Sequence, residues 1–251
     1  MITTTPGKLI AFCVLALCAL SFPPRDSLAQ QTAIDPVALE KLRAMTDYLG
    51  SLQSFSVHTH NTLEELLDSG NRVDVDVSAD IIVSRPDKLQ ATRSGDLVDQ
   101  HFFYDGATLT LFNPTDQVYA TEPAPPTIEE MLDLARESLG LDIPAADLIY
   151  GNAYELLTRE LDLAMVVGAS VIGGIRCDHL LFSRPGVDFQ LWIGAEGTPL
   201  PYKYVVTDTG FYNRLSIGTV MSEWNTAPQT DNTLFRFEPP EATRRINFMP
   251  L

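Results

Sequence analysis

The chain has 251 residues, 45% of them hydrophobic, with 33 acidic against 17 basic side chains and a formal net charge of −16. A surface of that sign repels nucleic acid and anionic lipid headgroups and favours solubility. It excludes a polyanion-binding role.

Residues 1–29 read as a secretory signal. Lys8 supplies the positive charge, Leu9 to Phe22 is an apolar run, and Pro23-Pro24 stops it. Ser27-Leu28-Ala29 then sets small side chains before an expected cut, so that the exported chain begins at Gln30. The apolar run falls short of the roughly 20 residues of a membrane-spanning helix. Leu17 before Cys18 argues against lipidation. Cleavage leaves 15 basic and 32 acidic residues, a net charge of −17, and Cys177 as the remaining cysteine. An internal disulfide is then impossible, and Cys177 reads as a small buried hydrophobe on a strand. The expected compartment is the periplasm. What remains, 30–251, suits a single domain.

The exported part opens on a helix. Asp35 is the expected N-cap, Pro36 the first helical residue, Val37, Leu39, Leu42, Met45 and Leu49 the apolar stripe, and Gly50 the end. Strands follow at 54–68 and 72–84. The second alternates Val73, Val75, Val77, Ala79, Ile81 and Val83 with Arg72, Asp74, Asp76, Ser78 and Asp80, the period-two mark of a sheet with one oily and one wet side. A loop of Ser69-Gly70-Asn71 pairing Asp68 with Arg72 brings the two apolar faces together. That register predicts Val57 opposite Val83, Leu63 opposite Val77 and His60 opposite Asp80. Further strands are predicted at 87–94, 97–104, 107–113 and 116–121, with Asp105-Gly106 as a hairpin turn. After Pro-rich 122–126, Thr127 and Glu130 form a capping box for a helix with Ile128, Met131, Leu132, Ala135 and Leu139 on its apolar face. A second helical stretch, 145–157, is interrupted near Tyr150-Gly151-Asn152. Strands resume at 162–172, 174–184, 187–194, 200–208, 211–224 and 233–237.

In several segments the chain resembles a family of uncharacterised periplasmic proteins within the LolA/LolB-like lipoprotein-carrier superfamily. The carrying segments are Arg85-Pro86-Asp87-Lys88-Leu89, Phe103-Tyr104-Asp105-Gly106-Ala107-Thr108-Leu109, Cys177-Asp178-His179-Leu180, Phe189-Gln190-Leu191-Trp192-Ile193 and Phe235-Arg236-Phe237-Glu238-Pro239-Pro240. The resemblance implies a mainly β (α+β) fold, a strongly curved antiparallel sheet or unclosed barrel wrapped around a few helices. It also implies a cavity between sheet and helices that takes a lipid or the acyl chains of a lipid-modified protein. Cavity candidates on that reading are Val57, Val75, Val77 and Ile81 from the first hairpin, and Phe103 and Trp192 from later strands. Ile128, Met131, Leu132 and Ala135 join them from the second helix, whose stripe fits a lid or ordinary core packing equally. A transient membrane or envelope partner is expected, and no nucleic acid.

His58 and His60 share a strand face with Asp76 and Asp80 nearby, but a flat sheet lacks the converging geometry of a metal site. Asp74 to Ser78 fails as a calcium loop, because its sixth position is Ala79 and its twelfth Arg85. No nucleophile elbow, zinc-protease motif or phosphate loop occurs, so the expectation is a non-enzyme without cofactor. Two alternatives stay open: an envelope interaction module with a filled core, or an enzyme assembled in the fold around His101 and His179.

Overall fold

The alternating segments form one paired ribbon in a computed structural model that describes residues 33–248, apart from 97, 142, 212 and 213. The expected signal, 1–29, lies outside the described residues. The elements are α1 (Pro36–Ser51), β1 (Ser54–Leu66), β2 (Arg72–Ser84), β3 (Lys88–Gly95), β4 (Asp99–Tyr104), β5 (Thr108–Asn113) and β6 (Val118–Pro123). Then come α2 (Ile128–Leu139), a 3-10 turn (Ala146–Leu148) and α3 (Ala153–Thr158). The second strand series is β7 (Leu163–Ile172), β8 (Ile175–Arg184), β9 (Val187–Gly194), β10 (Pro201–Asp208) and β11 (Ser216–Asn225), followed by a 3-10 turn (Asn232–Phe235) and β12 (Arg244–Arg245).

Among the described residues twelve strands make a single unclosed sheet in the order β12-β6-β5-β4-β3-β2-β1-β11-β10-β9-β8-β7. Two meanders, β1–β6 and β7–β11, are joined where β1 pairs antiparallel with β11. The exception to antiparallel pairing is β12, which runs parallel to β6. This is the mainly β architecture around helices that the resemblance implies.

Alternation assigns each strand an oily concave face and a polar convex one. The first hairpin keeps the predicted faces but shifts register by two: Val57 pairs with Ile81, Leu63 with Val75, His58 with Asp80 and His60 with Ser78. The loop closes one pair earlier than expected, the Leu67 N–H donating to the Asn71 carbonyl at 2.9 Å. Gly70 takes the positive φ, +82°, of the three-residue turn. An even shift leaves side-chain direction unchanged, so the oily face survives the correction.

Both long helices lie on the concave side. On α1 the Asp35 carboxylate accepts the Val37 N–H at 2.9 Å, the expected cap. Its buried stripe is Ala38, Leu42, Met45 and Leu49, while Val37, which spacing places in the stripe, is 47% exposed. Lys41 of α1 reaches Asp178 of β8 at 2.6 Å, so this helix sits over the second meander. On α2 the Glu130 N–H donates to Thr127 Oγ1 at 3.3 Å, and the Thr127 hydroxyl donates to the Glu130 carboxylate at 2.9 Å. Gly140 at φ +63° ends the helix.

Two predicted strands differ from what is found. Residues 233–237 are not a strand: Asp231 accepts the Thr233 N–H at 2.8 Å and starts a 3-10 turn instead. The strand expected at 211–224 begins only at Ser216.

Tyr104 fixes the start of the connection between the two meanders. Its ring is fully buried and its hydroxyl donates to the Pro125 carbonyl at 2.5 Å. Burial, with Asp87 and Glu130 nearby, pushes its pKa up to about 12. An unfolded tyrosine ionises near 10, so this group's stabilisation is complete below pH 10 and is lost as pH rises toward 12. The unfolding free energy from urea titrations should fall across that window, by up to roughly 1.4 kcal/mol per pH unit. In Tyr104→Phe the same titration should be measurably flatter.

Candidate ligand cavity

The floor of the cavity is built from cross-strand rows of small and branched side chains. One row runs Val57, Ile81, Ala91, Phe102 and Leu111 across β1 to β5. The neighbouring row places Thr59 beside Ala79, and Ala79 beside Arg93. Ala79 and Ala91 are short where larger residues would fill the hollow, and a slot remains above them. Leu141, Ile143, Pro144 and Ile149 close it from the helical side.

The slot itself leaves only about 60 Å³. Next to it lies a wider cleft of about 450 Å³, walled by Leu63, Val206, Ile217 and Thr219 of the sheet and by Leu132 of α2. Ile143 and Pro144 line both spaces, and Pro144 also borders a third, smaller gap beside Leu49, Phe55 and Met221. One stretch between α2 and α3, described at 140, 141 and 143–149 and including the 3-10 turn, therefore borders all three. We call it the plug.

The plug is tied down at its C-terminal end. Arg85, at the close of the first hairpin, donates from Nη2 to the Ile149 carbonyl at 2.5 Å and lies 3.4 Å from Glu129 of α2. Its Nε is buried without a hydrogen-bond partner, and burial lowers its pKa while Glu129 raises it. Glu129 also accepts the Gly151 N–H at 3.1 Å, and the Tyr150 hydroxyl donates to Asp133 at 2.8 Å. Burial and that acceptor both raise the Tyr150 pKa. On the sheet side Tyr204 is 3% exposed, and burial followed by the facing Asp147 holds its phenol neutral.

The predicted cavity residues divide. Val77 and Ile81 line the slot, Val57 lines the smaller gap, and Leu132 lines the cleft. Val75, paired with Leu63, stands one step nearer the hairpin tip and outside the slot's lining. Ile128, Met131 and Ala135 are fully buried and anchor α2 in the core instead of bordering open space. Phe103 and Trp192 are on the opposite face. Phe103 alternates with inward Phe102 and Tyr104, and its ring centroid lies 5.5 Å from that of Phe237 on the convex side. Trp192 sits between inward Leu191 and Ile193, stacked 4.0 Å from the His179 ring with Lys203 over its other side at 4.9 Å. The plug's second half falls in the helical stretch predicted at 145–157, which forms the 3-10 turn Ala146–Leu148 and, after the interruption, α3. Its first half, with Leu141 and Ile143 beside Gly140 and Pro144, was not predicted to line the hollow.

The four histidines all project from the convex face. His58 is 2.8 Å from Asp80 and His60 3.6 Å from Asp76, in pairs open to solvent. His101 stacks edge-on to Phe112, and His179 meets Gln190 at 2.9 Å. Among the described residues no group of His, Cys, Asp or Glu is arranged to hold a metal ion, and no helix is long and apolar enough to cross a membrane.

An open β ribbon with helices and an apolar hollow on its concave face defines the class. Within it, the chain belongs to the DUF2092 family of predicted periplasmic proteins, whose pattern matches residues 38–249. Its compartment is the periplasm. No curated protein matches the sequence. Among solved structures the chain is similar to the lipoprotein LppX of Mycobacterium tuberculosis, at 16% identity and TM-score 0.45 over 78% of this chain and 100% of that one. It is similar to LprF of Mycobacterium bovis, at 16% identity and TM-score 0.49 over 78% and 96%. A LolA superfamily protein of Nitrosomonas europaea follows at 12% identity and TM-score 0.38 over 80% and 97%.

Arg85→Met removes the anchor on Ile149 and the ion pair with Glu129. Amide hydrogen exchange at 143–151 should quicken by about tenfold, the worth of one charge-assisted hydrogen bond. Exchange in β8 and β9 should not change.

Proposed function

We propose that the protein is exported through residues 1–29 and binds a hydrophobic ligand, a lipid or the acyl chain of a lipid-modified protein, between sheet and plug. On this reading it is a carrier that meets a membrane or envelope partner transiently, uses no cofactor and catalyses no reaction. The observation that carries the reading is the apolar slot lying directly beside the 450 Å³ cleft, with Ile143 and Pro144 lining both. Ligand pockets commonly span about 300–1,000 Å³, so the cleft alone suits a short chain and the opened slot a longer one.

The energetics favour exchange of plug for ligand. About ten buried methylenes gain roughly 8 kcal/mol. Lifting the half-buried Leu141, Ile143 and Pro144 costs roughly 1 kcal/mol each on the same scale. The balance tips toward ligand while the empty protein stays closed.

A second reading, an envelope interaction module with a filled core, is supported by the small volume of the closed slot. Extraction of protein purified from its native periplasm, followed by mass spectrometry, separates the two. A carrier yields acyl chains at near-stoichiometric amounts. Protein that yields none, and that fails to bind an environment-sensitive fluorescent amphiphile after delipidation, is the filled module. Ala91→Trp, which fills the slot from its floor, should weaken amphiphile binding at least tenfold, judged against a fold checked by circular dichroism.

A further inference from the structure

The concave floor is not uniformly oily. On β1 the sequence of inward residues runs Val57, Thr59, Asn61, Leu63, and on β11 it runs Met221, Thr219, Ile217. Thr59, Asn61 and Thr219 are only 4%, 4% and 1% exposed, a polar pair bounded by Val57 and Leu63 on β1 and a single threonine between Met221 and Ile217 on β11. They sit where the spaces join: Thr59 and Asn61 line the slot and Thr219 lines the cleft.

Their hydrogen bonds use up every donor. Asn61 Nδ2 donates to Thr59 Oγ1 and to the Val77 carbonyl, both at 3.1 Å. The Thr219 hydroxyl donates to Asn61 Oδ1 at 2.8 Å, and the Thr59 hydroxyl to the Ala79 carbonyl at 3.5 Å. The amide orientation is dictated by its surroundings, since a flipped Asn61 would set its oxygen against the Val77 carbonyl. With two amide hydrogens and two hydroxyl hydrogens committed, the capacity left over is acceptor capacity, on Asn61 Oδ1 and the threonine oxygens.

We infer that Asn61 and Thr219 read a hydrogen-bond donor carried on the ligand's chain, a hydroxyl or an amide N–H. The inference rests on the carrier reading above and specifies its ligand. Asn61 Oδ1 already accepts from the Thr219 hydroxyl and Thr59 Oγ1 from the Asn61 amide, so a saturated methylene laid across this band leaves only their second lone pairs and Thr219 Oγ1 unused, whereas a donor on the ligand is taken up by them. A plain alkyl carrier or a filled core is better served by valine and leucine at these positions, because buried polar atoms weaken an apolar floor. The inward direction of the strands does not require the band either, for the aliphatic alternation on both strands already sets which face is inward.

The test uses the full purified chain, stripped of lipid, and competition against a fluorescent amphiphile. The probes are palmitic acid, 3-hydroxypalmitic acid and N-palmitoylglycine, with the palmitoyl ester of glycolic acid as the donor-free partner of the last. The expected result is a preference of about tenfold for a donor-bearing probe over its donor-free counterpart, the usual net worth of one hydrogen bond. The hydroxyl pair and the amide pair tell the two donor sources apart. In Thr219→Val that preference ratio should collapse toward one, and in Thr219→Ser it should return. Equal affinity for donor-bearing and donor-free probes overturns this inference alone, as does a ratio that persists in Thr219→Val. Failure of every probe to bind overturns the carrier reading and this inference with it.

Discussion

The connection from Pro123 to Leu163 has almost the whole width of the sheet to cross. β6 lies beside one edge and β7 forms the other, because each meander grows outward from the central pair β1–β11. A sheet this wide curves as its strands twist, and a chain that must pass from edge to edge takes the concave side, where apolar surface needs cover. The crossing segment holds α2, the plug and α3 in that order. The hollow and its stopper are thus consequences of strand order. Unlike a loop added at a rim, this segment cannot be lost without breaking the link between the two halves of the sheet.

The halves are covered unequally. Under α1 the floor is packed with large fully buried residues, Phe182, Phe189, Leu180 and Leu191, and Lys41 pins the helix to Asp178. Under the plug the floor thins to Ala79 and Ala91, and of the covering residues Leu141, Ile143 and Pro144 are only half-buried while Ile149 is buried. Removing a cover with full contacts costs several kcal/mol per large side chain, and removing a loose one costs far less. On the carrier reading, the firm half holds the fold while the loose half exchanges its contents. Thr59, Asn61 and Thr219 stand on the seam between them.

Much of the sheet was legible because a period of two is a strong signal and turn chemistry bounds each strand. What alternation supplies is parity, not register, and the first hairpin illustrates the difference. Its predicted and observed pairings differ by two residues and share every face. Parity fails where apolar residues are consecutive: Phe102, Phe103 and Tyr104, or Leu191, Trp192 and Ile193, contain no internal mark of which side is inward. Phe103 and Trp192 were placed in the cavity for that reason, and found partners for their rings on the convex face. The plug was illegible for another. Before its 3-10 turn it has neither helical nor strand periodicity, so Leu141 and Ile143 gain a meaning only once the sheet beneath them exists.

The anchors on the plug are distributed unevenly, and on the carrier reading this sets a direction for opening. Arg85, Glu129 and Asp133 hold residues 149–151, whereas the other end leaves α2 through Gly140 in the left-handed region. Ala145 adopts φ +60° without being glycine, a conformation that costs of order 1 kcal/mol and that neighbouring contacts must sustain. Between these two backbone pivots stand Leu141, Ile143 and Pro144, the residues that close the slot toward the cleft. On the carrier reading, displacement begins there: relaxing Ala145 returns part of the cost of exposing the three side chains, while the fixed end keeps the plug registered for return. A ligand entering from the cleft would then pass Thr219 before Asn61, meeting the polar band as it replaces the plug.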